Sequence, residues 1–115
     1  MSDRYELGMA AALATLPGPD PEDRTYNILF QRGTAELIVY APKGADYQEI
    51  HDRDEFYFIV SGRGKFFNGE TIVDVAPGDA IFVAAGVDHR FLDFTDDLTM
   101  WVLFYGPVGG EKATA

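Results

Sequence analysis

The chain has 115 residues, 47% of them apolar and 24% charged, which suits one folded domain and excludes both a disordered chain and a two-domain protein. Nineteen Asp and Glu against nine Lys and Arg give a formal charge of -10, which argues against a phosphate-tracking surface for nucleic acid or an anionic membrane. With no Cys and only two His, His51 and His89, disulfides and thiolate chemistry are excluded, and any imidazole chemistry falls to those two residues.

The first fifteen or so residues predict a helix, which Ser2 or Asp3 can cap; Tyr5, Leu7, Met9, Ala12, Leu13 and Leu16 give it an imperfect apolar face. Pro17 ends it, and Pro17, Gly18, Pro19, Asp20 and Pro21 read as a stiff linker. The apolar stretch from Gly8 to Leu16 is short and follows Asp3 and Glu6 rather than basic residues, so it does not read as a targeting segment. Nothing approaches the roughly 20 apolar residues of a membrane helix. A cytoplasmic protein is expected, with neither membrane nor nucleic acid as partner.

Nine short strands are predicted after the linker, at 25–31, 35–41, 47–51, 55–60, 64–67, 71–75, 80–83, 89–94 and 98–105, separated by Gly, Pro, Asn and Asp turns. Without intervening helices they imply an all-β fold, an antiparallel sandwich or jelly-roll barrel preceded by the short N-terminal helix. The expected plan is one domain: helix and linker about 1–23, barrel about 24–106, flexible tail 107–115. Asn68-Gly69 suggests a two-residue hairpin turn. Segments 56–60 and 100–105 are apolar on both faces, so each needs a second apolar partner, from the helix or from another copy of the chain. A homodimer is therefore expected.

Strand alternation over 47–51 places Tyr47, Glu49 and His51 on one face and Gln48 and Ile50 on the other. Glu55 opens the next strand and shares its face with Tyr57 and Ile59. His89 follows the turn containing Gly86, with Phe91 and Asp93 on its side. The same parity suggests a pocket wall of Tyr47, Tyr57, Ile59, Phe91 and, from the last strand, either Trp101 and Leu103 or Met100 and Val102; Trp101 is preferred. Tyr57 is the candidate acid or base.

These two segments resemble the paired motifs of the cupin superfamily. Glu49, His51, Glu55 and Gly62 follow the first motif, with Glu49 where that motif has its first His and Gly44 one residue closer than the pattern asks. Gly78, Gly86 and His89 follow the second, with Ala84 in place of Pro and Asp93 in place of Asn. The resemblance covers Gly44 to Asp93 and implies a cupin double-stranded β-helix holding a divalent metal through Glu49, His51, Glu55 and His89. Such a set of two imidazoles and two carboxylates suits Fe, Mn, Zn, Ni or Co and is poor for a soft ion. Without an ion, Glu49 and Glu55 would repel each other at a desolvation cost, or form a hydrogen-bonded polar cluster.

The resemblance further implies a metalloenzyme acting on a small organic molecule. Dioxygenase-like chemistry is favoured, with isomerase, lyase and decarboxylase chemistry open. The alternative is a non-catalytic module that binds or senses a small molecule, with or without a structural metal.

Overall fold

The computed structural model describes residues 5–112, so the expected Ser2 or Asp3 cap and the last residues of the tail lie outside the described residues. The helix is short: α1 spans Met9–Leu13, and extended Gly8 at its start supplies no side-chain cap. Eight strands follow: β1 (Tyr26–Arg32), β2 (Ala35–Tyr40), β3 (Asp54–Ser61), β4 (Gly64–Phe67), β5 (Ile72–Val75), β6 (Ala80–Val83), β7 (Arg90–Leu92) and β8 (Thr99–Tyr105). They form a five-stranded sheet of order β1-β2-β8-β3-β6 and a three-stranded sheet of order β5-β4-β7, with antiparallel pairing throughout. This is the mostly-β barrel that the sequence leads one to expect.

Both sheets point their inner faces into one core. Ile38, Tyr40, Tyr57, Ile59, Met100 and Val102 come from the larger sheet, and Phe66, Val75 and Phe91 from the smaller. Period-2 alternation along β3 drives Glu55, Tyr57 and Ile59 inward and leaves Phe58 and Val60 exposed. Close backbone approach closes one corner, where a Cβ on Gly62 would lie 2.5 Å from the Leu98 Cα, so only glycine fits.

Two local expectations are corrected. The β4-β5 hairpin forms, but its loop is 68–71 rather than two residues, because the Asn68 side chain accepts hydrogen bonds from the backbone N–H groups of Glu70 and Thr71. More consequentially, 47–51 is not a strand. Buried Asp46 organises it instead: its carboxylate accepts the backbone N–H and the side-chain amide of Gln48, the Tyr40 hydroxyl and the Phe91 N–H. Local side-chain bonds thus replace a strand ladder.

Candidate metal centre

Three sequence-predicted residues come together at one end of the core. The ligating atoms of His51, Glu55 and His89 all lie within 4.8 Å of one another, and this group could hold a metal ion. Each arrives by a different route. Glu55 is fixed in β3 between its partners Val83 and Phe104. His51 ends the Asp46-organised segment. His89 precedes β7, and the turn before it is tied to the first loop by the Gly86 N–H, which donates to the His51 carbonyl at 2.8 Å. Gly86 has φ 81°, a conformation glycine adopts without strain. Asp54 adds a second tie by accepting the Ala85 N–H at 3.0 Å.

The electrostatics fit a cation. Glu55 is fully buried, and neither carboxylate oxygen has a hydrogen-bond partner among the described residues. Its Oε1 lies 2.9 Å from His89 Nε2 but without hydrogen-bond alignment. In the neutral ring with the proton on Nδ1, two electron-rich atoms stand this close without being aimed at each other, an arrangement that a shared cation would relieve. The His89 Nδ1–H can donate to the Val87 carbonyl at 2.9 Å, which in the neutral ring leaves the Nε2 lone pair facing Glu55. An unpaired buried carboxylate is costly, and a divalent ion would compensate it.

Burial pulls the His51 pKa down, only partly opposed by the Glu55 carboxylate. For His89 burial acts in the same direction, but Glu55 and the Val87 carbonyl outweigh it and the net shift is upward. Tyr57 is buried with its hydroxyl 2.9 Å from His89 Nε2 and 3.0 Å from Gln48 Oε1. Burial, reinforced by the charge on Glu55, holds that hydroxyl protonated well above the usual phenol range.

Above the group opens a cavity of about 460 Å³ that reaches His51 and is walled in part by Tyr26, Tyr40, Val102 and Phe104. The remaining expected site residues are distributed differently from the sequence reading. Glu49 is exposed and stands outside the group of three, because without a strand at 47–51 the parity that paired it with His51 does not apply. Tyr47 lines the cavity as expected, and at 82% exposed it does so at the mouth. Tyr57, Ile59 and Phe91 are core residues that do not line the cavity. Trp101 faces away from it, since the register of β8 turns Met100 and Val102 inward. Sequence reasoning missed Gln48 and Asp46, which the strand assumption set on the wrong face or left out.

A barrel of two antiparallel sheets, with a His-Glu-His group of half-buried His51 and buried Glu55 and His89 under an open cavity, defines a small β-barrel protein whose inner wall could hold a divalent ion. Residues 36–105 match the family model described as the cupin domain, and the chain belongs to that family. An uncharacterized protein of Streptomyces coelicolor is 42% identical over 62 residues, a match covering 54% of this chain and 59% of that relative. Among solved structures, KdgF from a Halomonas species aligns with a TM-score of 0.61 at 17% identity over 70% of this chain and 77% of its own. A cupin-2 domain protein of Rhodospirillum rubrum aligns at 0.59 and 25% identity, covering 72% and 60%. The DMSP lyase DddQ of Ruegeria pomeroyi aligns at 0.57 and 27% identity, covering 65% of this chain and 40% of its own.

Proposed function

We propose that the protein binds a divalent metal ion through His51, Glu55 and His89 and uses it to bind and transform a small organic molecule in the cavity above. The observation that carries this reading is Glu55, fully buried with neither oxygen hydrogen-bonded and one of them 2.9 Å from His89 Nε2. A bound ion would supply Lewis acidity toward an oxygen of the ligand. Fe, Mn, Zn, Ni and Co all suit the donors.

Within this reading Tyr57 handles the proton. Its hydroxyl lies 2.9 Å from His89 Nε2 and is held protonated, so it could supply a proton to a carbanion or enolate bound at the ion, although Tyr57 is itself buried and outside the cavity lining. That role supports lyase, isomerase or decarboxylase chemistry ahead of oxygenation, for which only the donor set speaks. The likeness to a DMSP lyase points the same way. Asp20, Asp23 and Glu36 line the cavity, and its cation Arg53 is already paired with Glu36, so a neutral or cationic ligand is favoured over an anion.

A second copy of the chain is part of the proposal. The N-terminal segment lies along the β1-β2 side of the large sheet, where Tyr5 packs 5.2 Å from Phe30 and Ala12 is buried with Val39. Beyond it Phe58 and Phe82 remain 38% and 49% exposed on the outer face, and this exposed aromatic surface is what supports a homodimer.

The deciding experiment is metal analysis of tag-free protein, followed by thermal shift with added Mn(II), Fe(II), Ni(II) or Zn(II). Stoichiometric ion and a shift lost in both His51→Ala and His89→Ala are expected, with Arg90→Ala unchanged. No ion and no shift would overturn the metal reading. Turnover on a panel of small organic substrates, absent in Tyr57→Phe, separates an enzyme from a binding or sensing module.

A further inference from the structure

Three protein donors leave the group one short of the four that the sequence resemblance implies, and Glu49 is not there to complete it. Gln48 lies beside the group instead. Its side-chain Nε2 donates to Asp46 Oδ2 at 3.0 Å, which fixes the orientation of the amide and turns Oε1 the other way, toward the group. There Oε1 lies 3.4 Å from His51 Nε2 and accepts the Tyr57 hydroxyl at 3.0 Å. Asp46 cannot swing away, because it is buried and also holds the Tyr40 hydroxyl and the Phe91 N–H.

Two neighbouring pairs stand at spacings that donors around one ion have, within a group whose ligating atoms lie up to 4.8 Å apart and would draw in on binding. With metal–donor bonds of about 2.1 Å, neighbouring donors stand about 3.0 Å apart at a right angle and about 3.4 Å apart at a tetrahedral angle. Glu55 Oε1 and His89 Nε2 are 2.9 Å apart, and Gln48 Oε1 and His51 Nε2 are 3.4 Å apart. A carbonyl oxygen has two lone pairs, so Oε1 can accept the Tyr57 hydroxyl and still face a cation.

We infer that Gln48 Oε1, held in place by Asp46, is the fourth protein donor to the ion, in place of Glu49; this rests on the metal reading above. The consequence is a site with one carboxylate rather than two. Its net charge with a divalent ion is +1, which leaves the ion a stronger Lewis acid than a two-carboxylate site would.

The test titrates Co(II) into the full chain by calorimetry and follows its visible d–d absorption, whose shape and intensity report donor number and geometry. Gln48→Ala is expected to bind Co(II) at least about tenfold more weakly, toward a hundredfold, and to change the absorption. Glu49→Ala binds and absorbs as the wild type does. Circular dichroism and metal-free melting establish that each variant is folded. If Gln48→Ala matches the wild type in affinity and spectrum, the assignment of Gln48 is overturned and the His51, Glu55 and His89 site stands. If Glu49→Ala is the variant that loses the ion, Glu49 is the fourth donor and Gln48 is not. If the wild type itself binds no Co(II), both readings fall together.

Discussion

The two faces of the large sheet are built from nearly the same kinds of residue and do opposite things. Inward, Glu55, Tyr57 and Ile59 of β3 lie beside Met100 and Val102 of β8, all at most 3% exposed. Outward, Phe56 makes ring contacts with Phe58, Phe82 and Tyr105 at 5.8, 5.2 and 5.9 Å, and this aromatic surface remains partly open. Apolar composition therefore says little about burial here. The inner face accepts a buried carboxylate without a hydrogen-bond partner inside its apolar wall, a cost to stability of the kind found at functional sites, whereas the aromatic outer patch holds no buried charge.

The largest expected effect lies in the apolar part of the inner face. Met100→Ala should destabilise the fold by about 2–5 kcal/mol in urea unfolding, since Met100 is fully buried and leaves a cavity. The next is specific to the polar part of that face. With a divalent ion at about a hundredfold over its Kd, the wild type should gain about 2.7 kcal/mol, and Glu55→Gln and His89→Ala should gain none. Met100→Ala, though weakened, should keep the metal-dependent gain. If it lost that gain as well, the apolar and polar parts of the inner face would be one unit rather than two.

How far this division was legible in the sequence depends on whether a segment is paired. Along β3 the alternation of Glu55, Tyr57 and Ile59 could be read directly, because a paired strand keeps its period. In β8 both parities are apolar, so nothing in the sequence chooses Met100 and Val102 over Trp101 and Leu103; the register against β2 and β3 decides. At 47–51 the alternation could not be trusted, because Asp46 forms side-chain bonds to the backbone and coils the segment, bringing Gln48 and His51 together at a spacing of three. His51 and His89 were legible for a different reason, namely that the chain has no other imidazole. The cavity rim drew in residues of the linker, which no local pattern announced.

On the outer face a smaller, purely associative effect is expected. Phe82→Asp places a charge in the exposed aromatic surface and should convert a dimer to a monomer in analytical ultracentrifugation, while leaving the metal-dependent stabilisation of each subunit intact. A wild-type chain that sediments as a monomer would remove the second copy from the proposal and leave the outer face merely tolerated. Loss of the metal-dependent gain in Phe82→Asp would mean that the two faces are coupled through β3, and the division drawn between them would fail.

The smallest effect concerns the rim of the inner face, where the linker meets the barrel. The Tyr26 hydroxyl donates to Asp20 Oδ2 at 2.7 Å, and this hydrogen bond, aided by burial, pushes the Tyr26 pKa up to about 12. Because the folded value lies above the unfolded one of about 10, the stabilisation from this bond is complete below pH 10 and is lost as pH rises through 12. Tyr26→Phe should therefore lower the urea midpoint slightly at pH 7 and flatten the decline between pH 10 and 12, with the remaining tyrosines still contributing. Since Tyr26 and Asp20 both line the cavity, the same variant also separates anchoring of the rim from construction of the metal group. Co(II) affinity should be unchanged while the alkaline profile moves; a fall in Co(II) affinity would show that the rim holds the metal group in place.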